Sequence, residues 1–118
     1  MTSLIACLST GEGTWAHVAK LISEQEWGSI FLVANAYAAE KFKHEKSFSF
    51  IVIDPSKPID EVIALIRSGI HGKISDFDVA LNLVSGSGKE HMAVISAIMN
   101  EGLGFRLVAI TKEGFKEI

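Results

Sequence analysis

The chain carries one cysteine, two prolines and one tyrosine in 118 residues. A lone Cys7 excludes an intrachain disulfide, so the fold has to rest on its core, for which this length suffices. Cys7 itself sits in an apolar strand pattern, where a small buried hydrophobe is expected rather than a nucleophile. Basic residues are in deficit: 11 Lys and Arg against 14 Asp and Glu give a net charge of −3. This argues against a duplex nucleic acid as partner, which needs a broad basic face. A small anion stays open, because a helix N-terminus and one lysine act locally and remote acids are screened beyond about 10 Å. No apolar run reaches the roughly 20 residues of a membrane span, and no charged leader precedes the first apolar segment. The expectation is one domain over residues 1–118, cytoplasmic and away from membranes. The four histidines, His17, His44, His71 and His91, stand at no metal-ligand spacing, so neither a metal site nor a cofactor is expected. Only His91 is placed near a candidate site, the others being expected at the surface. No nucleophile–histidine–acid order stands out, and the residues alone assign no catalytic group.

Almost half the chain is hydrophobic, and the apolar residues alternate between strand and helix patterns. Short apolar runs predict strands over 3–9, 29–34, 48–53, 79–84 and 105–110, with a final short strand after Glu113-Gly114. Between them, helical spacing predicts helices over 14–25, with Thr14 as N-cap, and over 36–46, with Tyr37, Ala38 and Phe42 inward. A third helix begins at Pro58 and ends at Gly69 or Gly72; a fourth covers 89–101 with Met92, Ile95, Ile98 and Met99 inward. Both prolines fall in the turn before the third helix. Alternating strands and helices with near-continuous apolar strands predict an α/β fold: a Rossmann-like three-layer sandwich with a mainly parallel sheet of five to six strands.

Ligands of open α/β sheets sit beyond the carboxyl ends of the strands, at the switch point. Two glycine-bearing loops fall there. After the first strand come Ser9, Thr10, Gly11, Glu12, Gly13 and Thr14; after the fourth come Ser85, Gly86, Ser87, Gly88 and Lys89. If the first and fourth strands are neighbours, both loops face one crevice. The first loop has the form G-x-G-x-x-A, yet after the second strand stands Asn35, which can hydrogen-bond a hydroxyl of a ligand, where a dinucleotide site wants a carboxylate, and Glu12 would repel a pyrophosphate. The second loop resembles a P-loop only superficially: Leu83 stands where a glycine is needed and Glu90 where Ser or Thr would hold magnesium. What survives is a loop that holds phosphate or base through backbone N–H groups, serine hydroxyls and Lys89, with His91 within reach.

The run Asn82-Leu83-Val84-Ser85-Gly86-Ser87-Gly88-Lys89, followed by Met92 and Ala93, resembles the second signature of CRISPR-associated Rossmann-fold (CARF) domains. There an apolar strand leads into a Thr-Gly-Gly-Thr-Lys type loop. Ser85 replaces the first Thr and Ser87-Gly88 replaces Gly-Thr, which keeps the polarity and shifts one hydroxyl. Residues 9–14 would be the family's other loop, and Ile110-Thr111-Lys112-Glu113-Gly114 resembles its exit from the last strand. The resemblance implies a homodimer whose two crevices form one two-fold site for a cyclic oligoadenylate, the second messenger of type III CRISPR antiviral defence. Some family members cleave the ring without metal, as slow ring nucleases; Lys89 would then stabilise developing charge, with Ser9, Thr10 or Ser85 orienting the ribose. The alternatives are a mononucleotide or dinucleotide bound within one subunit, and an interaction module whose loops bind nothing.

Overall fold

The computed structural model describes residues 2–9 and 11–118. Five parallel strands alternate with helices in the order β1 (Ser3–Leu8), α1 (Trp15–Glu24), β2 (Ser29–Ala34), α2 (Ala36–Lys41), β3 (Ser49–Val52), α3 (Ile59–Ile70), β4 (Asp78–Asn82), α4 (Gly88–Asn100) and β5 (Gly104–Thr111). A sixth strand, β6 (Gly114–Glu117), turns back antiparallel on β5. The sheet order is β3-β2-β1-β4-β5-β6. This is the expected α/β sandwich, and β1 and β4 are parallel neighbours, with Leu4, Ile5 and Ala6 beside Ala80, Leu81 and Asn82.

Alternation along the strands divides the core into two layers. Ile5, Cys7, Phe31, Val33, Val79 and Leu81 face α3 and α4. Leu4, Ala6, Leu8, Ile30, Leu32 and Ala80 face α1 and α2. Each fully buried Leu or Ile is worth about 1.5–3 kcal/mol over an exposed one. Every residue of β1 is buried, as a strand covered on both faces requires.

Several local expectations are corrected. The second helix stops at Lys41 rather than 46, because Phe42 turns extended to bury its ring in the core. Lys46 instead spans back, its Nζ donating to the carbonyls of Ile22 (3.1 Å) and Gln25 (2.9 Å). Gly72, at φ +71°, follows the third helix, while Gly69 lies inside it. A Cβ on Gly69 would sit 2.7 Å from Ile51 Cδ1, so glycine there lets α3 approach β3. Thr14 forms no side-chain cap; residues Glu12–Thr14 form a 3-10 turn, and the Thr14 hydroxyl donates to Gly11 O at 2.9 Å. Tyr37 is exposed rather than inward. On α4 the inward face is Ala93, Val94, Ala97 and Ile98, whereas Met92 and Met99 point to solvent. The fourth strand ends at Asn82, two residues early, because the Asn82 side chain takes over the bonding there.

Candidate functional site

Chain direction reverses between β1 and β4: from β1 the chain proceeds to β2 and β3 on one side, and from β4 to β5 on the other. The two glycine-bearing loops leave the sheet at this point and are joined. Ser9 N–H donates to Ser85 Oγ at 3.0 Å, and the two hydroxyl oxygens lie 3.3 Å apart. Trp15 Nε1 donates to Ser9 O at 2.8 Å, and Gly11 N–H to Ser9 Oγ at 3.3 Å, so Ser9 is the hub of the first loop. His91 Nε2 lies 2.8 Å from Ser85 O, which fixes the proton on that nitrogen. Gly86 requires its lack of a side chain: its φ is +104°, and a Cβ would stand 3.1 Å from His91 Nε2 and 3.3 Å from Cys7 Cβ. Thr10 lies outside the described residues.

At the head of α4, Ser87 and Glu90 form a capping box. Ser87 Oγ accepts from Glu90 N–H (3.3 Å) and Glu90 Oε1 accepts from Ser87 N–H (2.8 Å). The amides of Gly86, Gly88 and Lys89 have no acceptor among the described residues. The helix dipole and these N–H groups make this rim favourable to an anion. Glu90 is buried, and its second oxygen has no partner among the described residues. Cys7 is a buried core residue, and burial first, then the Glu90 charge, pushes its thiol up to about 12.

Of the expected residues, Lys89, Asn35 and Ser85 also hold the fold together, whereas Gly13 does not. Lys89 Nζ donates to the carbonyls of Pro55 (2.8 Å) and Lys57 (2.6 Å), latching the β3–α3 loop. Asn35 caps α2, its Oδ1 accepting from Ala38 N–H at 2.9 Å. Gly13 has open space where a Cβ would stand. Ser85 is 1% exposed and already holds Ser9, so its hydroxyl orders the loop from below.

Asn82 carries the floor of the crevice. Its Nδ2 donates to Val108 O (2.8 Å) and lies 3.1 Å from His17 Nε2, and its Oδ1 accepts from Val84 N–H (3.3 Å). The two backbone bonds fix the amide orientation, so Nδ2 donates to His17 as well. Ile110 N–H also points at His17 Nε2 (3.4 Å), making that nitrogen an acceptor. Burial lowers the His17 pKa accordingly. His17 is thus half-buried under the site rather than at the surface. Asn82 was the visible signal, but no sequence pattern couples it to a histidine 65 residues earlier.

A cavity of about 680 Å³ lies one step sideways, beyond the carboxyl ends of β2 and β3 and between α2 and α3. Tyr37, Val52, Pro55, Leu65, Asp54 and Asn35 line it, and of the expected residues only Asn35 does so. Two contacts connect it to the crevice: the Lys89 latch on residues 55 and 57, and a hydrogen bond from the Tyr37 hydroxyl to Glu12. The Glu12 carboxylate therefore faces Tyr37 and raises its pKa. Ser56 hydrogen bonds hold the Asp54 pKa below the ordinary carboxylate value.

Among the described residues, no group of three or more His, Cys, Asp and Glu is placed to hold a metal ion. Among them, too, no helix is long and apolar enough to cross a membrane. Neither a protein-family model nor a curated protein matches the sequence.

Proposed function

We propose that the crevice between the β1 and β4 loops binds a cyclic oligoadenylate across a homodimer, as a CARF-type sensor or slow ring nuclease. The observation that carries this reading is the joining of the two loops at the switch point through Ser9 and Ser85, beside the amides of Gly86, Gly88 and Lys89, which meet no acceptor among the described residues. A ring with two-fold symmetry matches two identical crevices, each taking half the phosphates. In cleavage, the ribose 2′-oxygen would bond to the adjacent phosphorus as the bond to the 5′-oxygen breaks, and the 2′ proton would end on that leaving oxygen. Lys89 would serve such a step by leaving the Pro55 and Lys57 carbonyls for a phosphate oxygen.

A second reading, a mononucleotide or dinucleotide held within one subunit, is favoured by the cavity of about 680 Å³, whose lining sets Val52, Pro55 and Leu65 beside the polar Asn35 and Asp54. Calorimetric titration with cyclic tetra-adenylate and cyclic hexa-adenylate, without metal, separates the two. Saturation at half a ring per chain, weakened about tenfold (about 1.4 kcal/mol) by Lys89→Ala, is expected for the two-fold site. Saturation by a mononucleotide at one per chain, with neither ring bound, would move the function to the cavity. Failure of all these ligands would leave an interaction module.

A further inference from the structure

Three large apolar side chains that the fold leaves exposed border one hollow. Tyr37, Val52 and Leu65, from α2, β3 and α3, stay 40%, 47% and 47% exposed, and all three line the cavity beyond β2 and β3. Exposed apolar residues scattered singly need no explanation, but three around one concavity leave apolar surface that a ligand can cover. Its volume of about 680 Å³ falls in the range of small-molecule sites, about 300–1,000 Å³. The Tyr37 ring is already oriented: it lies against Trp15, with centroids 6.1 Å apart, and its hydroxyl is tied to Glu12. An aromatic ligand that meets this ring orders no mobile side chain.

The polar part of the lining decides what such a ring must carry. Asn35 Oδ1 is taken by the cap of α2, and Asp54 Oδ1 accepts from the Ser56 amide (2.9 Å) and hydroxyl (2.6 Å). Asp54 Oδ2 and both Glu61 oxygens meet no donor among the described residues. A carboxylate only accepts, so these oxygens favour an N–H donor and repel a second anion. The Asp54 charge is favoured first by Ser56 and then by Lys57 and Lys89, so cations already stand beside it. Lys89 is itself held on the carbonyls of Pro55 and Lys57. Glu61 forms no ion pair among the described residues, and it stands one turn before Leu65 on α3, which sets an acceptor next to the apolar wall.

We propose that this cavity binds an aromatic amine, its ring against Tyr37, Val52 and Leu65 and its amino group donating to Glu61 and to the open oxygen of Asp54. The inference rests on the second reading of the function only in placing a small ligand in the cavity; it requires no nucleotide. No described residue of the loops 9–14 and 85–89 lines the cavity, so the site is separate from the crevice.

The test is a titration of the full chain, followed at the methyl resonances of Val52 and Leu65, with three probes that share one ring: tryptamine, indole and indole-3-acetate. Each is raised to about 10 mM, above a millimolar dissociation constant. Tryptamine is expected to bind about threefold more tightly than indole, the scale of one partly exposed ion pair, and about tenfold more tightly than indole-3-acetate. Glu61→Gln should cut the advantage of tryptamine over indole with circular dichroism unchanged, and Leu65→Trp should block all three probes. Should Glu61→Gln lose its fold, Asp54→Asn, which keeps an acceptor for Ser56, replaces it. No shift at Val52 and Leu65 with tryptamine, an order not led by tryptamine, or an advantage unchanged by the acid substitution would each overturn the amine site. Adenosine 5′-monophosphate, titrated in the same way, separates the two uses of the cavity. Tryptamine bound and the nucleotide not bound would uphold the amine site and sink the nucleotide reading; the nucleotide bound and tryptamine not bound would do the reverse.

Discussion

Replacing Asn82 by alanine removes the most connected polar side chain beneath the crevice. Asn82 is 1% exposed and links Val108 O, Val84 N–H and His17 across β4, β5 and α1. Three hydrogen bonds at a net value of about 1 kcal/mol each give about 3 kcal/mol. Val108 O and Val84 N–H are also left without this partner, and burial of an unsatisfied group costs about 1–3 kcal/mol more where water cannot enter. The expected loss is therefore about 3–6 kcal/mol by urea denaturation, with the midpoint of thermal unfolding lower by roughly 10–25 °C. An Asn82→Ala/His17→Ala cycle should show a coupling of about 0.5–1 kcal/mol, since the two side chains share one bond. A loss below about 1 kcal/mol for Asn82→Ala would refute the reasoning, because it would mean that these bonds contribute nothing beyond what water supplies.

Gly69→Ala should destabilise by about 1 kcal/mol, although Ala is the better helix former by about that amount, because overpacking costs about 1–3 kcal/mol and the new Cβ would meet Ile51 at 2.7 and 2.8 Å. In an Ile51→Ala background the sign should reverse; chemical denaturation of the four variants decides. His17 is held neutral in the fold, with its pKa below the ordinary 6.5. Its contribution is therefore full above pH 6.5 and is lost as pH falls from there toward the folded pKa. His17→Gln should flatten stability against pH across that window, and an unchanged slope would contradict the acceptor role. Cys7, buried and with its thiol pushed up to about 12, stays protonated at pH 8. An aromatic disulfide reagent should label it only as fast as the chain unfolds, and rapid labelling of native protein would show the thiol open to solvent.

The loop after β4 shows why some of the site could be read from the chain. Small residues between an apolar strand and a helix let the backbone turn tightly, and Ser87 with Glu90 three positions on spells out a capping box. Gly86 is the loop position where a side chain is sterically forbidden, yet its neighbours His91 Nε2 and Cys7 Cβ come from a helix and from a strand some 80 residues earlier in sequence. Lys89 marks the opposite limit. Its place at the mouth was legible, but its partners, the Pro55 and Lys57 carbonyls, belong to a loop that only the packing of α3 on the sheet brings near. Methionine at 92 and 99 fits the helical period of a core face as well as that of an outer one, so periodicity could not tell which side the sheet would take.

The sequence by itself determined the alternation of strands and helices, the parallel sheet and the two loops at its carboxyl edge, because these follow from local period and from turn chemistry. The tertiary structure alone decided which strands are neighbours, which face of α4 is buried, that His17 lies under Asn82, and that a cavity opens between α2 and α3. Each of these depends on distant residues meeting, and no local pattern records a meeting across 65 residues of chain.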